Sequence, residues 1–384
     1  NCAFESAKWV GQCPSCSSWN TLVETVVKRS LPSNKGLSSF KKVETFKLSE
    51  IKSSPKERLK TDINEFDRVL GGGFVSGQVV LLAGEPGIGK STLLLHVADK
   101  LEGKKKEVLY VSGEESSEQI KIRAERLKIK GAYMTAVSST DADEIVSLVS
   151  SSNASLVIID SIQTLTTQDL TGTSGSVGQV RECAFRISQA AKAKNIALIL
   201  VGHVTKEGTI AGPKVLEHLV DTVLYIEGDD KHIFRILRTS KNRFGPVSEV
   251  GIFTMEEKGL IEVLNPSDIF LEERLKDSPG SCVTVIMEGY RPILLEVQAL
   301  TAKTSFGYAK RTASGYNVTR LSVLVAVLEK RCGLNLSNED IYINVAGGMK
   351  ISENSADLAV CLAIYSSYSG KPLNSKLVAF GEVG

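Results

Sequence analysis

The sequence predicts an α/β fold in which a parallel sheet is covered by helices on both faces. Short apolar runs rich in Val, Ile and Leu recur at residues 79–84, 107–113, 155–160 and 197–203. Segments with helical spacing separate these runs, at residues 91–101, 116–127 and 177–193. Buried strands that alternate with helices are typical of parallel sheets, because each crossover connection places a helix on one face.

Three further apolar segments follow this alternation, at residues 222–228, 232–243 and 250–263. Few helical interruptions separate them, and parallel neighbours need a long crossover whereas antiparallel neighbours do not. We therefore expect the three segments to be antiparallel strands that extend the same sheet.

The turn sequence NPSD at residues 265–268 marks a boundary, beyond which strand-like and helix-like segments predict a second, separate α/β domain. We expect four regions: a cysteine segment, a linker rich in Lys and Ser that holds at most one short strand, the core, and the second domain. Their bounds are 1–21, 22–57, 58–264 and 265–384. The last apolar run, at 378–384, resembles a strand and a turn, so we expect the natural domain to continue beyond it.

Composition excludes several classes of protein. Of the 384 residues, 42% are hydrophobic and 23% charged, which is typical of a soluble globular protein. The net charge of +2 is nearly neutral, so any contact with DNA must come from a local basic patch. No apolar run approaches the roughly 18 residues of a membrane span, and no secretory signal is visible. We expect a cytoplasmic protein with no membrane partner.

Three of the seven cysteines, Cys2, Cys13 and Cys16, fall within the first sixteen residues. An odd number of cysteines in a chain of this size argues for a reducing compartment rather than a disulfide framework. Cys13 and Cys16 have the spacing of one half of a zinc site, which needs four ligands. The sequence alone leaves open whether Cys2 belongs to the same site or is unrelated.

The segment GEPGIGKST fits the phosphate-binding pattern G-x-x-x-x-G-K-[ST], and it follows an apolar strand and opens a helix. Glycines turn the backbone N–H groups onto phosphate, and the helix adds its positive N-terminal end. Lys90 would reach the β- and γ-phosphates, and Ser91 would bind Mg²⁺. The expected nucleotide-binding residues are Gly84, Glu85, Pro86, Gly87, Ile88, Gly89, Lys90, Ser91 and Thr92. A glycine turn with an accidental lysine is the plainer alternative.

Carboxylates follow two other predicted strands. Asp160 ends a buried apolar strand, where nucleotide-binding proteins of this type place an acid that orients the Mg²⁺ shell. Glu114 and Glu115 follow another strand, and the ends of neighbouring parallel strands lie at one crevice. Either glutamate could therefore act as the catalytic base, with Glu114 preferred. The alternatives are that Asp160 only caps the turn after its strand, and that the two glutamates form a solvated acidic helix start.

These motifs resemble the ATPase core of RecA-type proteins, and more specifically the bacterial RadA (Sms) DNA repair proteins. The similarity covers nearly the whole chain, including KWVGQCPSCSSWNT (8–21), the phosphate-binding segment, YVSGEES and the signature KNRFG (241–245). It implies a hexameric ring that binds and hydrolyses ATP while moving on single-stranded and branched DNA. It also implies that the protein promotes branch migration of recombination intermediates and acts with the RecA recombinase.

The resemblance implies roles for residues outside the nucleotide motif. Lys241 and Arg243 lie two apart on a predicted strand and so point to one side. In related ring ATPases such a pair reaches the ATP of the neighbouring subunit, although a solvated edge strand is the alternative. His203 occupies the position at which RecA-type proteins sense the γ-phosphate, although an ordinary core or surface histidine is the alternative. Two loops rich in Gly, Thr and Ser, 166–179 and 205–214, would hold DNA, the second through Lys206 and Lys214.

The second domain resembles the proteolytic domain of Lon proteases. Alignment on the Lon turn places Ala356 at the position of the nucleophile, with Ser355 beside it. Alanine has no oxygen with which to attack a carbonyl, so we expect a scaffold rather than a protease. Lys310, Arg311 and Arg320 either face DNA or form a solvated basic face.

The resemblance also bears on the cysteines. In RadA proteins the first ligand pair is Cys-x-x-Cys-Gly, so Cys2 would be its second member, with Ala3 in place of the glycine. The three cysteines are then ligands of a partial four-cysteine zinc ribbon that binds Zn²⁺, and the missing ligand would precede residue 1. The expected fold is thus a partial zinc ribbon, a RecA-like core and a Lon-protease-like domain.

Two other functions fit parts of the sequence. One is a KaiC-like signalling ATPase that does not act on DNA, against which KNRFG and the Lon-like region argue. The other is a Lon-type peptidase, against which Ala356 argues.

Overall fold

The computed structural model describes Cys2 and residues 11–19, 58–204, 213–228, 234–272, 274–275, 277–305 and 307–384. The chain divides into two units, Asn1–Ser54 and Pro55–Gly384, which are described separately. The expected linker over 22–57 lies outside the described residues.

In the first unit, the described residues form one tight turn. The backbone N–H of Ser17 donates to the carbonyl oxygen of Cys13 at 2.9 Å, and that of Cys13 donates to Ser18 at 3.0 Å. An isolated antiparallel bridge between Gln12 and Trp19 closes the turn. The Cys-x-x-Cys segment is therefore wrapped so that both of its sulfur atoms lie on one short hairpin.

A nine-stranded sheet forms the centre of the second unit. Its spatial order is β3-β2-β4-β5-β1-β6-β7-β8-β9. The strands from β3 to β6 pair in parallel, and β7 to β9 pair antiparallel. The strands are β1 Val79–Gly84, β2 Val108–Ser112, β3 Met134–Ser138, β4 Leu156–Asp160, β5 Ala197–His203, β6 Thr222–Glu227, β7 Phe234–Asn242, β8 Val250–Glu256 and β9 Gly259–Glu262.

Helices cover both faces of this sheet, as predicted. Alternate residues of β1 enter opposite cores, since Val80 and Leu82 pack in one cluster while Val79 and Leu81 pack in the other. The first cluster includes residues of α1, α2 and α3, and the second includes residues of α4 and α5. These helices are α1 Asn64–Leu70, α2 Lys90–Glu102, α3 Ser117–Arg126, α4 Ala142–Ser151 and α5 Val177–Ala193.

Parts of the prediction for this sheet were wrong. The strand β6 pairs parallel to β1, not antiparallel, because the chain returns from the carboxyl end of β5 to the amino edge of the sheet before β6 begins. The strand β3 and helices α1 and α4 were not predicted. The β3 sequence MTAVS lies at the sheet edge with every side chain at least partly exposed, so it lacks the apolar run that marked the buried strands.

A second sheet of four strands, in the order β10-β11-β13-β12, has its own apolar cluster. Its elements are α6 Pro266–Glu272, β10 Ser281–Glu288, β11 Arg291–Lys303, β12 Arg311–Ser314, α7 Val318–Cys332, β13 Glu339–Val345 and α8 Asp357–Ser369. The short strand β12 was not predicted. The expected final strand at 378–384 is a single bridge between Val378 and Val283 instead, because the chain turns away to donate to Ser355.

A buried ion pair joins the two sheets. Glu65 on α1 is fully buried, and its carboxylate accepts from Arg291 on β11 at 2.5 Å and from the backbone N–H of Ile252 on β8 at 2.9 Å. Arg291 also donates to the carbonyl oxygen of Leu264. Since Glu65 is removed from water, its charge depends mainly on Arg291, because the other nearby cation, Arg68, is half exposed and lies 3.5 Å from Oε1.

No helix within the described stretches is both long and apolar enough to cross a membrane.

Loss of the Glu65–Arg291 pair should destabilise the fold. We expect Arg291→Met to lower the free energy of unfolding by about 3–5 kcal/mol, because it leaves the buried Glu65 charge with only the half-exposed Arg68 nearby. Urea denaturation monitored by circular dichroism would measure this loss. Arg331→Ala removes an exposed arginine near the end of α7 and should change stability by less than about 0.5 kcal/mol. Equal stability of Arg291→Met and the unsubstituted chain would contradict the assignment.

Candidate functional site

The phosphate-binding segment connects β1 to α2, at the carboxyl edge of the parallel strands. Gly87 and Gly89 have φ angles of 77° and 112°, a region that favours glycine, and they turn the backbone over the start of α2. The ammonium group of Lys90 donates to the carbonyl oxygens of Gly84 at 3.0 Å and Glu85 at 2.8 Å. This loop is therefore preformed, with its lysine drawn inward.

Burial controls the charge of Lys90, which is 4% exposed. Its burial lowers the pKa of Lys90 to about 8, while the nearby carboxylates of Asp160 and Glu114 act in the opposite direction. The lysine thus remains protonated at neutral pH, and an anion bound beside it would restore the charge balance that burial disturbs.

A cleft of about 320 Å³ opens over this loop. Side chains from the ends of β2, β4 and β5 meet the loop there, which is what the parallel order of these strands predicts. The residues that line it are Pro86, Gly87, Gly89, Lys90, Ser91, Thr92, Ser112, Glu114, Glu115, Arg123, Arg126, Asp160 and His203. The structure therefore brings together Lys90, Ser91, Asp160 and both glutamates.

Asp160 and Ser91 supply oxygen atoms at the cleft, the donor type that Mg²⁺ prefers. Asp160 is 8% exposed, and the hydroxyl of Tyr110 donates to its Oδ2 atom at 2.6 Å. Burial and the Asp160 charge raise the pKa of Tyr110 well above its usual value, so Tyr110 stays protonated and holds the carboxylate in place. This donor set fits a magnesium ion bound with a nucleotide.

The two adjacent glutamates have different partners. Glu114 accepts from Ser161 at 2.5 Å, and its Oε1 atom lies 3.1 Å from Nε2 of His203. Glu115 is instead paired with Arg123 on α3. The hydrogen bond with His203 lowers the pKa of Glu114 to about 2, with Ser161 acting in the same direction. Glu114 is thus ionised and faces the loop, whereas Glu115 is engaged by the helix.

His203 is the last residue of β5, and its backbone is held in place by Gln163. Gln163 follows β4, and its side chain receives the backbone N–H of His203 and donates to its carbonyl oxygen, both at 3.2 Å. The Nδ1 atom of His203 is buried and has no hydrogen-bond partner within the described residues. The His203 side chain therefore faces Glu114 in the cleft, and the sensor role stays a prediction.

Several site residues were not predicted from the sequence, namely Tyr110, Ser112, Arg123, Arg126, Ser161 and Gln163. A signal existed for Ser161 and Gln163, since they are polar residues directly after the Asp160 strand. The others lie within a strand or on helix α3, where no local pattern distinguishes a site residue from a structural one.

Lys241 and Arg243 lie at the opposite edge of the sheet. Lys241 donates to the carbonyl oxygens of Glu217 and Val220, and Arg243 pairs with Asp221 at 3.1 Å. Asp221 in turn accepts from the backbone N–H of Val79, at the start of β1, whereas the phosphate-binding loop follows its end. Strand β1 has six residues, so roughly 17–20 Å separates the pair from the nucleotide loop of the same chain.

Of the predicted DNA-binding lysines, Lys214 is exposed, and Lys206 lies outside the described residues. The first predicted DNA-binding loop, 166–179, is anchored by hydrogen bonds and an ion pair along part of its length. Gln179 on α5 accepts from the backbone N–H of Thr167 and donates to Leu170, while Arg186 pairs with Asp169 at 2.7 Å. The structure leaves the role of both loops as a prediction.

The three clustered cysteines are brought together. The sulfur atoms of Cys2, Cys13 and Cys16 all lie within 4.8 Å of one another. The backbone hydrogen bond from Ser18 lowers the pKa of the Cys16 thiol to about 6, which favours the thiolate that binds metal. Three thiolates at this spacing fit zinc, and Cys2 belongs to the same site as the other two.

At the protease-like turn, Ala356 is fully buried and Ser355 donates to Glu353 at 3.0 Å. Arg320 does not face solvent freely, as a basic DNA-binding face would require. It pairs with the buried carboxylate of Asp357, which also accepts from Tyr316, and Arg320 donates to the carbonyl oxygen of Val383 as well. Arg311 donates to the carbonyl oxygen of Leu336 at 2.9 Å.

Two family models match the chain. An AAA domain matches residues 45–209, and a rubredoxin metal binding domain matches residues 1–24. The first covers the phosphate-binding loop and Asp160, and the second covers the three cysteines. Together with the geometry, they confirm the predicted RecA-like P-loop core and zinc ribbon, and they support ATP, Mg²⁺ and Zn²⁺ as the nucleotide and the metals.

Relatives match the chain from end to end. The DNA repair protein RadA of Bacillus subtilis is 52% identical over 388 residues, which cover 100% of this chain and 84% of that protein. The RadA proteins of Streptococcus pyogenes serotype M6 and Listeria monocytogenes are 51% and 49% identical, with the same coverage. A solved KaiC-like protein from Pyrococcus horikoshii has a TM-score of 0.45 at 21% identity, covering 54% of this chain and 98% of that one.

The different partners of the two glutamates predict different effects on hydrolysis. We expect Glu114→Gln to lower kcat for ATP at least 100-fold, because the ionised group that faces the loop is lost. Glu115→Gln only breaks the pair with Arg123 and should lower kcat less than tenfold. Phosphate release would measure turnover, and binding of a fluorescent ATP analogue would show that the cleft is intact.

Glu118→Gln, on the exposed side of α3, is the control and should leave turnover unchanged. A larger loss in Glu115→Gln than in Glu114→Gln would reverse the assignment.

Proposed function

Because the chain belongs to the RadA family of DNA repair proteins, we propose that it is an ATP-driven motor that moves on DNA and promotes branch migration of recombination intermediates. The family and the AAA domain support a more general conclusion, namely that the protein is an ATPase with a role in DNA repair and recombination. The observation that supports motor activity most directly is the separation of Arg243 from the nucleotide loop of its own chain.

The cleft supplies the parts that ATP hydrolysis requires. Backbone N–H groups of the loop and the positive end of α2 would bind the phosphates, with Lys90 beside them. Asp160 and Ser91 would hold Mg²⁺, which when bound neutralises charge on the β- and γ-phosphate oxygens. With a pKa near 2, Glu114 is a weak base, so its part is to accept a hydrogen bond from water and orient it.

His203 links this chemistry to the rest of the sheet. Its Nε2 must carry a proton to donate to Glu114, and Gln163 fixes its backbone. A γ-phosphate in the cleft would compete with Glu114 for the proton on Nε2 of His203, and it would attract the ammonium group of Lys90. Movement of His203 would then displace residue 204, which directly precedes the second predicted DNA loop (205–214).

We propose a homo-hexameric ring in which Lys241 and Arg243 act on the ATP of a neighbouring subunit. Arginine is suited to this because its planar fork can stabilise charge on the γ-phosphate in the transition state. The ion pair with Asp221 would orient Arg243 from a rigid strand, and its side chain remains 56% exposed and able to reach outward.

The remaining expectations are part of the same proposal. The protein would act on single-stranded and branched DNA with the RecA recombinase in the cytoplasm, with Lys206 and Lys214 contacting phosphates. The regions 1–21, 58–264 and 265–384 would be the zinc ribbon, the ATPase domain and a Lon-protease-like scaffold without protease activity. Burial of Ala356 supports the last point, since no hydroxyl is present there. The full-length relatives do not favour the KaiC-like signalling alternative.

The decisive experiment is the ATPase rate with and without single-stranded and forked DNA. We expect DNA to raise the rate severalfold, whereas Lys90→Ala should fold and bind DNA yet hydrolyse no ATP with either substrate. Native mass spectrometry of the same samples would give the size of the assembly. A rate that DNA does not change would contradict the motor, and full turnover in Lys90→Ala would contradict the site.

Arg243 can be tested by mixing variants. We expect Arg243→Ala alone to lose at least 100-fold in turnover while it still binds ATP, because its own cleft is intact. Mixed with Lys90→Ala protein, which retains Arg243, it should regain activity where the two kinds of subunit meet. Lys371→Ala, an exposed lysine after α8, is the control. Absence of recovery at every mixing ratio would exclude action across subunits.

A further inference from the structure

A second cleft, of about 560 Å³, lies at the amino edge of the large sheet. Its floor is formed where β4 and β5 begin, by Ala154, Ser155 and Ala197. Five basic side chains line it, and within the described residues no Asp or Glu does. These basic residues are Arg58, Lys60, Lys104, Lys106 and Lys194. Their concentration contrasts with a chain whose net charge is only +2.

Most of this positive charge is uncompensated. Lys104 is paired with Asp62 at 2.7 Å. The exposed ammonium groups of Lys60, Lys106 and Lys194 form no ion pair within the part of the chain that the structure describes. Three like charges around one depression repel one another and create a local positive potential, which an anionic ligand would relieve.

Arg58 adds a fixed charge to the wall of the cleft. Its guanidinium donates to the carbonyl oxygens of Leu70 and Gly73 at 3.3 and 3.1 Å, and to that of Phe244 at 2.5 Å. Carbonyl oxygens orient the guanidinium but do not neutralise it. Since Phe244 belongs to KNRFG, Arg58 also links the cleft to the segment that carries Arg243.

The lining of the cleft suits a flexible polyanion. It is open to solvent, and the small or polar residues Ser76, Ser155 and Asn195 are among those that line it. The hydroxyl of Ser76 donates to the carbonyl oxygen of Asn195 at 3.0 Å, which ties the two walls together. A flexible chain of phosphates could lie along it and meet several lysines in turn.

We propose that this cleft binds the phosphate backbone of a single DNA strand. The choice of DNA as the polyanion rests on the proposed function. The location of the site rests on the basic residues that line the cleft. The proposed site includes DNA contacts by Lys60, Lys106 and Lys194, at a place distinct from the loops at 166–179 and 205–214.

The position of the cleft allows DNA and ATP to bind at the same time. Ala197 lines the basic cleft, and His203, at the other end of β5, lines the nucleotide cleft. The strand has seven residues, so about 20 Å separates the two. A strand bound at the amino edge therefore cannot block the nucleotide, and removal of its lysines should leave basal ATP hydrolysis unchanged.

Neutralisation of the three lysines tests the proposal. Fluorescence anisotropy with a labelled 30-nucleotide oligo(dT) would give the affinity of the full chain over a series of salt concentrations. We expect Lys60→Gln, Lys106→Gln and Lys194→Gln in one chain to reduce the salt slope of log K by about 2, since each lost phosphate contact with single strands removes about 0.7. The matched control, Lys303→Gln, Lys350→Gln and Lys376→Gln, changes charge equally at exposed sites of the second sheet and α8 region.

Lysine acetylation read by mass spectrometry gives an independent measurement. DNA should protect Lys60, Lys106 and Lys194 but not the control lysines, and tripolyphosphate at the same phosphate concentration should protect them less. If the salt slope of log K is unchanged in the cleft variant, or is reduced equally in the control, DNA binding in this cleft is excluded. Either result would leave the proposed function unaffected. Stronger protection by tripolyphosphate would assign the cleft to a small polyphosphate instead. Absence of DNA binding by the unsubstituted chain would overturn both proposals.

Discussion

Backbone hydrogen bonds hold β1 between β5 and β6 along its whole length, and all six of its side chains are buried. Apart from its ends, no position on this strand can move without breaking pairs on both sides. The phosphate-binding loop leaves its carboxyl end, and Asp221 anchors its amino end through the backbone N–H of Val79. Because the strand is rigid, the chemistry at one edge and the charges at the other keep a fixed separation.

Because of this separation, the two edges of the sheet carry different chemical groups. Carboxylates and the protonated Lys90 meet at the carboxyl edge, where parallel strands end together and loops can converge. Arg243 and the basic cleft lie at the amino edge, where the same chain has no nucleotide. The amino edge therefore remains accessible to other ligands when a nucleotide occupies the carboxyl edge.

The second sheet is coupled to this core by charge as well as by apolar packing. Glu65 is fully buried on α1, yet its partner Arg291 comes from β11, more than 200 positions later in the chain. Arg238 on β7, whose side chain is 34% exposed, makes a partly buried pair with Glu288 on β10 at 2.5 Å. Buried pairs contribute little net stability over apolar contacts, but they penalise any arrangement in which the partners separate. They therefore specify one arrangement of the two sheets.

The sequence by itself determined the fold class, the phosphate-binding loop and the strands that are apolar throughout, because burial on both faces leaves a continuous hydrophobic run. It also located Asp160 and the glutamates at one crevice, since strand order constrains where strand ends lie. It could not separate Glu114 from Glu115, detect the exposed edge strand β3 or reveal that β6 is parallel. Those depend on contacts with residues distant in the chain, such as Ser161 and His203. The basic cleft likewise exists only because the tertiary structure brings together lysines from three separate segments of the chain.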